Sequence, residues 1–572
     1  MENKETNKTL NQKVKSAKTK QNNNISEVAK KTVSEKKTEV KKPASKKASD
    51  NAGEVRKMKS SAPKTSAVKK LDGTDINVKK KEGNQAEKPS DSSVEKSQKS
   101  DRLKVLFVSS EVSPFIHTGG LGEVSYAFPV ALSKKGVDIR VILPLYKEIP
   151  QEYKNEMKYI GNTYVNLAWR CQYAGVFELK RDNVIYYFVD NEFYFKRDGI
   201  YGHFDDGERF AFFSKAVLEL CQVTGFYPDV IHSNDWQSAM VPVFLDVFYR
   251  GISEYKNIRT LFTIHNIQYQ GKYDKVVIKD ILGLGNSNLV LMDNCCNYMK
   301  GAIECSKAVS TVSKAYVNEI LDPYFSYGLD SILRQRKFKL SGILNGIDNN
   351  VFNPKTDKKI IKNYDIESIE DKKENKKALL EKLGLQYNEN RPLISMVTRL
   401  TEQKGLDLLL ATADKLLSAD LQLIILGKGD WRYEKAVSNI QYRFNNKVRA
   451  IIDFSDDMAR QIYAASDIFL MPSKYEPCGL AQMISMRYGT IPIVRETGGL
   501  KDSVIPFNIT DKTGTGFTFY SYNSYDMLDA IWRAFATYFD KDAWNSLVKN
   551  AMKADFSWEK QSEEYLNLYK NL

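Results

Sequence analysis

The chain has 572 residues, 27% of them charged, and a formal net charge of +14. That length exceeds one ordinary domain, and the charge is uneven: residues 1–102 hold 27 Lys and Arg against 14 Asp and Glu, nearly the whole excess. No apolar run reaches the ~18 residues that span a bilayer, so a helical membrane protein is excluded.

In chain order, residues 1–100 contain no Phe, Trp, Tyr, Cys or His. Such a segment cannot bury enough apolar surface to offset chain entropy, and 1–102 reads as a disordered Lys-rich extension. It lacks the apolar stretch of a secretory signal, and with Arg56 its only arginine before Arg102 it is unlike a transit peptide. Its lysines are diluted by acids and no aromatic interleaves to stack on bases, so no specific nucleic acid is expected as a partner. The six cysteines show neither zinc-site nor disulfide-framework spacing, so the expectation is a protein of the reducing cytoplasm.

From Lys104 onward apolar runs alternate with helical stretches. Lys104–Ser109, Val137–Leu143, Val184–Val189, Val230–His232 and Thr260–His265 read as strands; Glu123–Lys135 and Phe210–Cys221 read as helices. The pattern restarts after Pro392, with strands at Leu393–Thr398, Leu421–Leu426, Ile468–Met471 and Ile491–Val494 and a helix at Gly405–Leu417. This is α/β architecture in two domains, joined near the turn-rich Leu344–Pro354. The tetrapeptide Thr118-Gly119-Gly120-Leu121 recurs as Thr497-Gly498-Gly499-Leu500, each copy between a strand and a helix. In doubly wound sheets such loops lie where ligands bind, so the two copies are expected to line one interdomain cleft.

Five motifs carry chemistry. His117–Glu123 (HTGGLGE) has paired glycines that let backbone N–H groups approach an anion, although an ordinary Gly-rich turn looks the same. Val230–Trp236 (VIHSNDW) ends a strand in polar residues; Asp235 there is also a natural N-cap. Leu261–Asn266 ends a strand in His265-Asn266. Three of the four histidines, His117, His232 and His265, thus fall at or after strand ends, which favours a site over three unrelated structural roles. Thr398–Gly405 carries Arg399 and Lys404 between a strand and a helix, cations suited to a diphosphate, although a pair of solvated surface charges, the commoner fate of Arg and Lys, looks the same. Met471–Leu480 (MPSKYEPCGL) places Glu476 before a helix expected to open at Gly479; Cys478 reads as a packing residue.

In this order, with Tyr327–Asp330, Leu340–Asp348 and Tyr488–Leu500, the motifs resemble the bacterial glycogen synthase and plant starch synthase family over nearly all of 103–572. The resemblance implies the GT-B fold, two Rossmann-like domains facing a deep cleft: 103–345, 346–555, and a C-terminal helix within 556–572 crossing back to the first domain. It implies transfer of glucose from ADP-glucose to the non-reducing end of an α-1,4-glucan with retention, by attack on the face from which the diphosphate departs. UDP-glucose, another acceptor, or an impaired glucan-binding homologue are the alternatives. Arg399 and Lys404 would neutralise the leaving diphosphate, so no metal and no cofactor is expected. The Gly119-Gly120 loop, Thr497 and Gly498 would donate to phosphate. Glu476, Cys478 and Gly479 would hold sugar hydroxyls, His265 would face the transferred glucose, and Glu111, Asp235 and Asn345 would organise the sugar and acceptor site. Two residues depart from the family pattern: His117 stands where lysine is usual, and Asn234 where histidine is usual before Asp235-Trp236. A lysine is a permanent cation and an imidazole is not, so a sharper pH dependence near neutrality is expected.

Overall fold

The computed structural model describes residues 102–572. The extension read at 1–102 therefore lies, Arg102 aside, outside the described residues. Among the described residues no helix is long and apolar enough to cross a membrane.

The first domain is built on nine strands: β1 (Lys104–Val108), β2 (Asp138–Pro144), β3 (Lys158–Leu167), β4 (Arg170–Arg181), β5 (Val184–Asp190), β6 (Val230–Asn234), β7 (Arg259–Ile264), β11 (Ala308–Thr311) and β12 (Leu340–Gly342). A separate small sheet holds β8 (Lys272–Asp274), β9 (Leu291–Met292) and β10 (Cys295–Asn297). The large sheet runs β12-β11-β7-β6-β1-β2-β5-β4-β3, parallel up to β5 and antiparallel over β5-β4-β3. The second domain has β13 (Leu393–Val397), β14 (Gln422–Leu426), β15 (Val448–Ile451), β16 (Ile468–Met471), β17 (Ile491–Arg495) and β18 (Phe517–Phe519), all parallel, in the order β15-β14-β13-β16-β17-β18. Runs such as VLFV in β1 and LISM in β13 are buried throughout, as strands covered on both faces require. The β3–β4 hairpin was not foreseen. Its first strand, KYIGNTYVNL, largely alternates exposed and buried residues near its end and has one face in solvent, so it lacks an apolar run.

Six helices position the site: α1 (Gly120–Lys134), α2 (Asp206–Thr224), α3 (Lys314–Ile320), α4 (Asp456–Ala465), α5 (Gly498–Ser503) and α6 (Trp558–Lys570). In the first sheet the strand order reverses between β1 and β6, and in the second between β13 and β16. A crevice opens at such reversals, and the loops after these four strands meet in one cleft.

The chain crosses between domains twice, and the crossings pair: Ile347 N–H donates to Phe556 O at 2.8 Å beside a parallel bridge from Ile347 to Ser557. Ser557 then caps α6 by accepting from Lys560 N. The helix lies on α1 of the first domain, with the Phe128 ring 4.7 Å from Tyr565 and 5.3 Å from Trp558. Trp558, Tyr565 and Tyr569 are buried in the first domain's core, each burial contributing about 1.5–3 kcal/mol. Tyr569 OH sits 2.7 Å from Nδ1 of His232, whose Nε2 is 2.6 Å from Thr263 Oγ1. His232 is therefore a core residue and not part of the site. Burial holds its pKa well below the usual imidazole value, so it stays neutral.

Candidate active site

The cleft comprises an inner chamber of 750 Å³ and an outer chamber of 540 Å³. They share a wall formed by Glu123, Val397, Thr398, Arg399, Tyr463, Leu480 and Ile484. Of the residues singled out in the sequence, Glu111, Gly119, Gly120, Asp235, His265, Asn345, Arg399, Lys404, Glu476, Cys478 and Gly479 line the inner chamber. His117 lines the outer one.

On the first-domain side, Glu111 follows β1 and is buried. Thr118 donates its N–H to Glu111 Oε2 and its hydroxyl to the same oxygen at 3.1 Å; Tyr201 OH donates to Oε1 at 3.1 Å. The carboxylate thus fixes the Gly119-Gly120 loop from beneath, at the start of α1. Asp235 follows β6 with φ of 55°, and its Oδ1 accepts from the N–H groups of His265 at 2.7 Å and Asn266 at 3.2 Å. A left-handed aspartate is strained and persists only when its surroundings hold it. Burial pushes its carboxyl up to about 7 despite those two donors. Asn234 Nδ2 donates to Val108 O at 3.0 Å, so Oδ1 faces His265 Nε2 at 2.9 Å. His265 must then carry its proton on Nε2 and keep Nδ1 as an acceptor. Burial lowers its pKa to about 3, so it is neutral. Among the described residues, Asn345 Oδ1 is buried without a partner, as is Gln237 Oε1 in the same chamber. A buried acceptor needs a donor, and in a cleft either water or a ligand can supply it.

On the second-domain side, Arg399 follows β13 at the strand-order reversal. It is exposed to the cleft, and among the described residues no carboxylate pairs with it. Lys404 ends the short 3₁₀ turn Glu402–Lys404, and its ammonium lies 2.7 Å from Glu476 Oε2, which Ser473 Oγ also meets at 3.0 Å. The helix expected at Gly479 begins two residues later, at Ala481. Gly479 has φ of 74°, outside the helical region, so Glu476 is held by Lys404 and Ser473 rather than by a helix end. Burial pushes the Cys478 thiol up to about 12, so it remains a neutral packing group.

Thr497 and Gly498 line neither chamber. Thr497 Oγ1 and Gly498 N donate to Glu319 Oε1, at 2.9 and 2.8 Å. The second Thr-Gly-Gly loop therefore sits one layer behind the cleft wall. It follows β17, one strand beyond the reversal, and is covered by the Glu476–Cys478 backbone.

Several cleft residues escaped the sequence reading. Phe454, 79% exposed, stands in the outer chamber between β15 and α4. A 400 Å³ groove adjoins the inner chamber at Tyr269, Arg399 and Gln403, and carries Tyr324, Tyr327 and Tyr475. Exposed aromatics at loop positions were the available signal; β15 itself, VRAI, is too short and polar to announce the loop that follows.

Two largely parallel α/β sheets whose strand-reversal crevices face each other across one cleft form the GT-B arrangement. The starch synthase catalytic domain model matches residues 104–335 and the group 1 glycosyl transferase model matches residues 378–553. Glycogen synthase of Clostridium botulinum strain Alaska E43 is 50% identical over 82% of this chain and 99% of its own length. That of Geobacillus thermodenitrificans is 46% identical, over 82% and 98%. The catalytic domain of starch synthase IV from Arabidopsis thaliana, solved with ADP and acarbose, superposes with a TM-score of 0.77 at 33% identity, over 82% of this chain and 99% of that one. Sucrose-phosphate synthase from Thermosynechococcus elongatus, 17% identical with a TM-score of 0.55, shares the fold. The chain belongs to the glycogen synthase and starch synthase family.

Proposed function

We propose that the enzyme transfers glucose from ADP-glucose to the non-reducing end of an α-1,4-glucan with retention of configuration. The observation that carries this is the grouping of Arg399, Lys404 and Glu476 opposite Asp235 and His265 in one chamber. The donor's nucleoside enters the outer chamber, where Phe454 offers a face for the base. Its diphosphate meets Arg399 and Lys404, with the N–H groups of the Gly119-Gly120 loop opposite. The hexose lies inward, its hydroxyls bonding Glu476, the orphan Asn345 Oδ1, and the backbone at Cys478 and Gly479. The acceptor glucan lies along the tyrosine groove, ring faces against sugar faces. The relative solved with ADP and acarbose supports the adenine nucleotide and the saccharide.

Retention by same-face attack suits the carboxylates. Glu111, Asp235 and Glu476 each accept hydrogen bonds from the protein, which leaves them poor nucleophiles. The departing phosphate can take the acceptor's proton, and catalysis rests on placement and on stabilising the leaving charge. His265, neutral with an acceptor at Nδ1, bonds a glucose hydroxyl near the reacting carbon. The six cysteines are unpaired, which suits the reducing cytoplasm. The test is labelled ADP-glucose and, in parallel, UDP-glucose with a glycogen primer. Label in polymer from ADP-glucose is expected; preference for UDP-glucose would overturn the donor assignment, and transfer from neither would leave a glucan-binding homologue.

A further inference from the structure

The carboxylate that meets the second Thr-Gly-Gly loop comes from the other domain. Glu319 lies on α3 of the first domain and receives Thr497 Oγ1 and Gly498 N at the start of α5. In return Asp502 Oδ2, on α5, accepts the N–H of Ala315 at 2.9 Å in the first turn of α3. Each short helix thus has orphan donors of its first turn satisfied by an acid of the other. Ser313, which caps α3 by accepting from Tyr316 N, also donates to Pro477 O at 2.7 Å. Glu319 Oε2 and Arg495 Nε, opposite in charge and from opposite domains, are both buried without a hydrogen-bond partner among the described residues. Each group's charge acts on the other.

This seam carries the Glu476 segment. Gly499 N donates to Glu476 O and Pro477 O, both at 3.1 Å. The α carbon of Gly498 approaches so closely that a Cβ there would stand 2.0 Å from Glu476 O. The start of α5 cannot shift without shifting Glu476, whose carboxylate faces Lys404.

We infer that Glu319 is a positioning residue: by capping α5 from the opposite domain it sets the Glu476–Gly479 segment in register with the first-domain half of the hexose site. The inference rests on the reading of the Glu476 segment as the sugar-holding element. It assigns the second Thr-Gly-Gly loop to domain registry rather than to phosphate.

The test compares full-length Glu319→Ala, Glu319→Gln and Thr497→Val in glucose transfer from ADP-glucose, in ADP binding by titration, and in thermal unfolding. Glu319→Ala is expected to lower kcat about tenfold, the scale of a lost charge-assisted hydrogen bond, while the Kd of ADP stays within about threefold. Glu319→Gln keeps an acceptor for Thr497 and Gly498 and should recover kcat to within about threefold of wild type. Wild-type kcat in Glu319→Ala would overturn the inference. So would loss of ADP affinity in proportion to kcat, or a Gln variant no better than Ala. Should Glu319→Ala not fold, Thr497→Val gives the reading, with a drop in kcat of about threefold expected and no drop counting against it. If wild type transfers no glucose, the functional reading has failed instead. The seam is then judged by small-angle scattering, where Glu319→Ala should enlarge the radius of gyration and an unchanged radius would overturn it.

Discussion

Residues 118–121 and 497–500 share a sequence, a preceding strand and a following helix, yet they work in different places. In the first copy Glu111, from the same domain, takes the N–H and hydroxyl of Thr118 and leaves the two glycines facing the cleft. In the second, Glu319 from the other domain takes Thr497 and Gly498 themselves. The tetrapeptide supplies free donors at a helix start. Which anion receives them is decided by strands and helices far away in sequence.

The largest effects should come from groups that serve the cleft whatever either loop does. Arg399→Ala and Lys404→Ala are each expected to lower kcat by about 10²–10³, the range for removing a preorganised donor to developing charge. A loss under tenfold would shift the phosphate site toward the loops. The glycines then separate the two copies. Gly498→Ala puts a Cβ 2.0 Å from a backbone oxygen at a φ of 43°, and should cost about 3 kcal/mol or more in unfolding experiments. At Gly120 a Cβ meets only Leu480 Cδ1, at 3.5 Å. Gly120→Ala should therefore keep stability within about 0.5 kcal/mol while raising the donor KM about fivefold. Equal stability losses would erase the distinction between the copies.

Two smaller effects concern charge on the first-domain side of the cleft. Asp235 has a pKa of about 7 against an ordinary 3.8, so the folded state keeps a proton that the unfolded chain releases between those values. Stability linked to this group is fullest below pH 4 and falls as pH rises through 7. Asp235→Asn should then gain stability relative to wild type as pH goes from 5 to 8 in thermal melts, while losing turnover. An advantage independent of pH would refute the assignment. His117→Lys should change kcat/KM for the donor by about threefold, as a permanent cation replaces an imidazole in the outer chamber. An unchanged kcat/KM would remove His117 from the donor site.

Much of this was legible in the chain. Strands buried on both faces declare themselves by unbroken apolar runs, as at Val105–Val108 and Ile468–Met471, and the loops after them carry most of the site. The strands left unread were half-exposed or short, such as β3, whose Tyr164 faces solvent while Val165 is buried. Burial cannot be seen from local spacing, so His232 looked like a site residue although the last helix closes over it. The repeat of Thr-Gly-Gly-Leu suggested a pair of phosphate loops because sequence shows donors and not the acceptor that claims them. Glu319, 178 residues from Thr497, carries no local mark of its role.

The last helix sets an order on how this molecule is made. Phe128 and His232 are covered by Trp558, Tyr565 and Tyr569, so the first of the two domains to be made cannot finish its core until residues 558–570 have been synthesised. Until then it exposes an apolar face, one that is sealed by a helix encoded beyond the second domain. A premature stop that removes residues 558–572 would leave the second domain's sheet complete and injure the first.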